Sequence, residues 1–304
     1  MSLSIVFMGT PEFAVPVLEE LARNFQVAGV ITQPDRPSGR GRKLVPPAAK
    51  VIAETLNLDL YQPDDVNSKS ALIRIRSWNP DLITVAAFGQ MLSPEILSLP
   101  PYGCLNVHAS LLPRWRGASP INAAILHGDS NTGITIMKMA EGLDNGPILT
   151  QSSIPLQSDD TAGSLSIRLS RLGANLLVKT IPQYISGDIQ PQPQDQSSIT
   201  YAPRLKRQDG LLDYSQSADQ LVCKVRAYTP WPGTFTFWKE LRLIIHQVRA
   251  VDVTSPGLGV FTTYDNYPAV GTAEGILVLE ILQQSGKNKV NGQDFLRGVS
   301  DWNG

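Results

Sequence analysis

A chain of 304 residues is too long for one small core and suits two domains of ordinary size. Its 42% hydrophobic and 17% charged content describes a folded protein and excludes a disordered one. A net charge of −1 excludes a polyanion partner held by bulk charge, so any nucleic-acid contact has to come from a local cluster. Cys104 and Cys223 are far apart and have no metal spacing, which fits a reduced cytosolic protein without a disulfide framework. MSLSIVFMGTPEF has neither a basic n-region nor a sustained apolar stretch, and no run approaches the roughly 20 apolar residues of a spanning helix. The expectation is a cytoplasmic protein with no membrane partner.

In chain order, residues 4–8 (SIVFM) read as a first strand, followed by a turn in which Thr10 is the N-cap and Pro11 opens a helix over 12–23. A strand over 26–32 leads into PDRPSGRGRKL, where Arg36, Arg40, Arg42 and Lys43 are opposed only by Asp35 in a loop rich in Gly and Pro. A helix over 47–56, a short strand at 58–62 and a helix over 68–77 come next. DLITVAAFG (81–89) is the near-continuous apolar run of a central parallel strand. GCLNVHAS (103–110), a helix over 121–127, strands at 133–139 and 147–156, and a long helix over 161–186 complete the series.

This alternation predicts an α/β domain over 1–187, Rossmann-like, with an open and mostly parallel sheet. MGTPEF carries one glycine where a dinucleotide fingerprint carries three, which argues against a nicotinamide cofactor. Residues 188–206, which begin DIQPQPQDQSSITYAP, read as a linker. Over 207–304 a helix at 217–227 precedes short alternating stretches (TFTFW, LRLIIHQV, GVFTTY, PAVGTA, ILVLEIL), the pattern of a small β-barrel.

Three histidines are present. His127 follows INAAIL and reads as a helix C-terminal cap. His246, within LIIHQV, reads as structural. His108 lies two residues after Asn106, so on a strand the two share one face while Leu105 and Val107 share the other. Such a pair is either two satisfied polar groups at a sheet edge or half of a reaction centre. Asn106 could donate to an oxyanion, and an imidazole with an ordinary pKa of about 6.5 exchanges protons near neutral pH. Asp144, in the loop leaving strand 133–139, is the best carboxylate to orient it, because such loops gather at the carboxyl ends of the strands. Its other reading is a turn residue in Asp-Asn-Gly. Ser110 lacks a G-x-S-x-G setting, Cys104 sits in an apolar strand, and no cluster has metal spacing. The residues support metal-free acyl transfer between two bound substrates, without a covalent intermediate.

N-V-H-x-S-L-L-P, then R-W-R-G-A-S-P (114–120) and G-L-D-N-G-P-I-L (142–149), resemble the formyltransferases that use 10-formyltetrahydrofolate. F-M-G-T-P-E-F, Q-P-D-R-P-S-G-R-G-R-K-L, A-F-G-Q-M-L, I-T-Y-A-P-R-L and R-A-Y-T-P-W-P-G extend the resemblance almost end to end, toward the branch that acts on methionyl-tRNA. The resemblance implies that Asn106, His108 and Asp144 are catalytic. It implies that Ser110, Leu111, Leu112 and Pro113 contact the folate, and that Phe88, Gly89, Gln90, Met91 and Leu92 line the pterin pocket. Arg36, Arg40, Arg42 and Lys43 fall on a loop that reaches the tRNA acceptor end, and the barrel becomes an OB-like tRNA-binding domain. The implied co-substrate is 10-formyltetrahydrofolate, with no metal; the implied partner is initiator methionyl-tRNA, bound by a monomer. Ala140 and Asn145 depart from the pattern, where an acidic residue and a threonine are usual. The catalytic trio leaves open a small amine as acceptor, such as an amino sugar nucleotide or glycinamide ribonucleotide. A non-catalytic RNA-binding protein on the same scaffold is the more distant alternative.

Overall fold

The computed structural model describes residues 3–38, 43–299 and 301–302. The chain divides into two compact units: residues 1–117, 132–154 and 166–201, and residues 118–131, 155–165 and 202–304.

In order, the elements are β1 (Ser4–Gly9), α1 (Val15–Asn24), β2 (Gln26–Ile31), β3 (Arg36–Ser38), β4 (Lys43–Val45), α2 (Ala48–Thr55), β5 (Leu60–Tyr61), α3 (Lys69–Ser77) and β6 (Leu82–Ala86). They continue with α4 (Pro94–Leu97), β7 (Cys104–His108), β8 (Arg116–Gly117), α5 (Pro120–Leu126), β9 (Asn131–Lys138), β10 (Ile148–Pro155) and α6 (Ala162–Ser186). The remainder is β11 (Tyr201–Ala202), α7 (Ala218–Ala227), β12 (Thr234–Trp238), β13 (Leu241–Val251), β14 (Phe261–Tyr264), β15 (Tyr267–Gly271), β16 (Ile276–Gln284), β17 (Val290–Asn291) and α8 (Gly292–Arg297).

The first unit is built on a seven-stranded sheet of order β10-β9-β7-β6-β1-β2-β5. β5, β2, β1, β6 and β7 run parallel, and β9 pairs antiparallel with β7. The apolar runs of β1 and β6 explain their central place: Ile5, Val6, Phe7, Met8, Leu82 and Ile83 are fully buried. α6 closes over β7. A side chain at Gly173 would come within 2.6 Å of Val107 Cγ1, so the glycine is what lets the helix backbone sit this close. That contact holds the Val107 face of β7 and leaves Asn106 and His108 on the other.

Several sequence expectations change. Thr10 does not cap a helix; a 3₁₀ turn (Glu12–Ala14) precedes α1, and the Thr10 hydroxyl donates to the Phe88 carbonyl at 3.0 Å. That bond spans 78 residues of sequence, which a local capping rule does not see. The 81–89 run leaves the sheet at Ala86, because Ala87 (φ 49) and Gly89 (φ 88) turn the chain into left-handed conformations. The stretch read as a basic loop contains a two-stranded ribbon, β3 on β4, while Arg40 and Arg42 lie outside the described residues. The expected linker is folded onto the first unit, where Gln192 and Ile148 exchange both backbone hydrogen bonds at 2.8 Å.

In the second unit, Ser217 and Gln220 form a capping box at the start of α7. Asn122 of α5 donates to the Ala227 carbonyl at the end of that helix, at 2.7 Å. The sheet order is β12-β13-β16-β15-β14, with β17 added to β16. Its core gathers Leu221, Val225, Leu243, Ile245, Leu277 and Leu279 around an aromatic group. Trp302 lies 5.3 Å from Trp238, 4.8 Å from Phe261 and 5.4 Å from Phe295, ring to ring. Its indole N–H donates to the Thr262 carbonyl at 2.6 Å.

Candidate active site

β7 lies between β6 and β9, with Asn106 opposite Val85 and Met137, and His108 opposite Thr135. Strand alternation puts Asn106 and His108 on one face. Both are buried, 9% and 5% exposed, and among the described residues the Asn106 amide has no hydrogen-bonding partner. An amide with no protein partner keeps its N–H groups open to a ligand.

The imidazole is held from two sides. His108 Nε2 lies 3.0 Å from the Trp115 carbonyl. A carbonyl only accepts, so Nε2 carries a proton and Nδ1 is the nitrogen left for exchange. Nδ1 faces Asp144 Oδ1 at 3.7 Å, and the second carboxylate oxygen, Oδ2, accepts from the Gly117 amide at 2.8 Å. Asp144 itself is left-handed, with φ 47. The structure therefore brings Asn106, His108 and Asp144 together.

Residues 115–117 organise this site although no role had been read for them. Trp115 offers its carbonyl to His108, and Gly117 its amide to Asp144. The segment is fixed in turn by Thr200: the Trp115 amide donates to Thr200 Oγ1 and the Arg116 amide to its carbonyl, both at 2.9 Å. The Arg116 guanidinium, only 4% exposed, donates through Nε and Nη2 to Gln194 Oε1 at 3.0 and 2.7 Å. Gln194 Nε2 donates to the carbonyls of Asp144 and Gly146 at 2.8 and 2.7 Å. The W-R-G motif was visible in the sequence. Gln194 and Thr200 were hidden in a stretch whose composition reads as a linker.

The expected folate residues divide by exposure. Ser110 is buried and its hydroxyl donates to the Arg114 carbonyl at 2.6 Å; Leu112 is also buried, while Leu111 and Pro113 are half-buried. Thr135 and Gln151 strap the loop down, Thr135 Oγ1 donating to the Ser110 carbonyl at 2.7 Å and Gln151 Nε2 to the Leu112 carbonyl at 2.8 Å. Phe88 and Leu92 belong to the core of the first unit. Gln90 spends its amide on the Val66 N–H and the Asp64 carbonyl, at 2.8 and 3.1 Å. Gly89 and Met91 are exposed.

Arg36 and Lys43 are exposed on the ribbon. Asp35, read as their acidic neighbour, is engaged elsewhere, bound by Gln62 at 3.0 Å and Lys50 at 2.9 Å. The Gln62 hydrogen bond and then Lys50 hold its carboxyl below the usual range. His127 caps α5, with Nδ1 donating to the Ala123 carbonyl at 3.0 Å. His246 pairs with Gln283 at 3.0 Å. Asn145, one of the two departures, bonds across its own turn to the Glu141 carbonyl at 2.7 Å.

The family described as Formyl transferase matches residues 3–181, and Formyl transferase, C-terminal domain, matches residues 204–300. The chain belongs to the formyl transferase family. It is 45% identical to the methionyl-tRNA formyltransferase of Geobacter metallireducens, over 97% of this chain and 96% of that one. Among solved structures, the methionyl-tRNA formyltransferase from Clostridium thermocellum aligns with a TM-score of 0.57 at 16% identity, over 83% of this chain and 95% of that one. HypX from Aquifex aeolicus aligns with a TM-score of 0.64 at 16% identity over 98% of this chain, which spans only 50% of that protein. At such identities the structures speak for the fold alone: a mostly parallel α/β unit and a β-rich unit.

Proposed function

We propose that this chain transfers the formyl group of 10-formyltetrahydrofolate to the α-amino group of methionine carried by initiator tRNA. The chemistry rests on one observation. The buried, unpartnered Asn106 amide shares a strand face with an imidazole whose Nε2 proton is committed to Trp115 and whose Nδ1 faces Asp144. The choice of amine is supported by the 45% identity to a methionyl-tRNA formyltransferase along nearly the whole of both chains.

Free α-amino groups have a pKa of about 7.7–8.0, so a neutral nucleophile is available at physiological pH. The amine attacks the formyl carbon; a carbon–nitrogen bond forms and the carbonyl electron pair moves to oxygen. Asn106 Nδ2 and the protonated form of His108, which alone carries a proton on Nδ1, donate hydrogen bonds to that oxyanion, the stabilisation that weighs most in such reactions. Asp144, held by the Gly117 amide, orients the imidazole. Collapse breaks the bond to N10 of the folate, which takes the proton lost by the amine, and tetrahydrofolate leaves.

The exposed Gly89 backbone and Met91 side chain, with Leu111 and Pro113, supply the surface that meets the folate. Phe88, Gln90, Leu92, Ser110 and Leu112 shape that surface from beneath. Arg36, Arg40, Arg42 and Lys43 contact tRNA phosphates, whose binding is dominated by charge. The work of such an enzyme is cytoplasmic.

The test is formyl transfer from 10-formyltetrahydrofolate to charged initiator tRNA, with uncharged tRNA and free methionine as controls. Product with methionyl-tRNA alone sustains the proposal. Tetrahydrofolate released with small amines, and no product on methionyl-tRNA, overturns the tRNA reading and keeps the chemistry of the trio.

A further inference from the structure

We infer that Gln194 is a positioning residue for the reaction, acting through Asp144; the inference rests on the site reading above. Its amide makes four hydrogen bonds, two accepted by Oε1 from Arg116 and two donated by Nε2 to the carbonyls of Asp144 and Gly146. That is every bond a glutamine side chain can make. Its orientation cannot be reversed, because a guanidinium only donates and a carbonyl only accepts.

The arrangement answers a specific need. Asp144 takes a left-handed conformation, which aspartate reaches at modest cost, and the direction of its carboxylate then depends on what holds the turn. Gln194 holds it from the backbone side, and Gly117 holds it from the carboxylate side at 2.8 Å. The register of the chain delivers Gln194 to this place. Gln192 and Ile148 pair as an antiparallel bridge, so two residues further on Gln194 stands beside Gly146. Arg116 adds charge: buried at 4% exposure, it strengthens the bonds that Gln194 makes by polarising the amide. The same three-residue segment thus fixes both His108, through the Trp115 carbonyl, and Asp144, through Gly117 and the Arg116–Gln194 link.

Gln194→Glu tests the donating half alone. The carboxylate keeps Arg116 paired but presents acceptors to two carbonyls. An aspartate displaced by about 1 Å costs on the order of a hundredfold in rate. We expect kcat in the full-length enzyme to fall by about 10- to 100-fold, with KM for 10-formyltetrahydrofolate and for methionyl-tRNA within about twofold. In an Asp144→Asn background the same change should cost less than about threefold, since residues acting through one group are not additive. Gln194→Met, which has neither half of the amide, repeats the test should the glutamate variant not fold; thermal unfolding monitors each protein. Wild-type kcat in the folded variant, or an equal loss in both backgrounds, would overturn the inference and leave the site reading standing. Unchanged turnover in Asp144→Asn alone would overturn both.

Discussion

The two units bury different things. In the first, the buried polar side chains include an asparagine, a histidine, an arginine and a glutamine, at positions 106, 108, 116 and 194. In the second they are Thr234, Thr236, Thr272 and Asp160, whose carboxylate accepts from the Gln157 amide and the Ser164 hydroxyl three and four residues away. A threonine in a strand satisfies its hydroxyl locally, as Thr234 does on the Ile245 carbonyl at 3.0 Å. An amide or guanidinium needs several partners brought from distant parts of the chain. The first unit therefore spends its precision on bonds, and the second on packing around Trp302. Damage to each should look different.

The largest effect belongs to the packed unit. Trp302→Ala removes the ring shared by Trp238, Phe261 and Phe295, and should cost about 3–5 kcal/mol of stability. Urea unfolding measures it, and a loss below 1 kcal/mol would mean that the aromatic group is not the centre of that core. In the bonded unit the loss appears as rate. Asn106→Ala and His108→Ala should each lower kcat by about 10²–10³-fold or more, with the urea midpoint little changed. Near-normal turnover in either would end the assignment of the oxyanion donors.

A smaller and more selective effect is expected in the basic stretch of residues 36–43. Arg40→Ala should weaken use of tRNA and leave folate binding intact, and Arg36→Ala or Lys43→Ala should reduce the salt dependence of tRNA binding by about one unit of slope each. Loss of folate affinity instead would overturn the assignment of these basic residues to tRNA. The smallest effect concerns His246, whose pKa burial lowers, with the Gln283 bond opposing and Lys289 reinforcing. A histidine with a depressed folded pKa contributes full stability above its ordinary value of about 6.5 and loses it as the pH falls toward the folded value. Wild-type protein should thus be less stable at pH 5 than at pH 7.5, and His246→Gln should flatten that slope. A slope unaffected by the substitution would assign the pH dependence to other groups.

The elements that a sequence reveals are those with local causes. Apolar runs gave β1, β6 and β7, Ser217 marked the start of α7, and His127 was readable as a cap because its partner is four residues away. Asn106 and His108 were legible as a pair through strand alternation. What stayed hidden depends on long-range partners. Thr10 reads locally as a cap because its acceptor lies 78 residues on, and the direction of β9 against β7 is not written in either strand. Gln194 sits among glutamines and prolines, and nothing near it signals Arg116, 78 residues away, or Gly146, 48 away. Composition described that stretch correctly and its role not at all.

The strand contact at Gln192, the amide of Gln194 and the two bonds of Thr200 bind residues 188–201 into the first unit, which ends at Tyr201. Seen as a sequence of synthesis, the catalytic trio is translated early and completed late. A nascent chain released at residue 187 would already hold Asn106, His108 and Asp144, yet lack the bonds that steady residues 115–117 and 144–146. Unfinished products of translation would then carry the trio without its support, because the residues that composition alone marks as a tether are the last to reach the first unit.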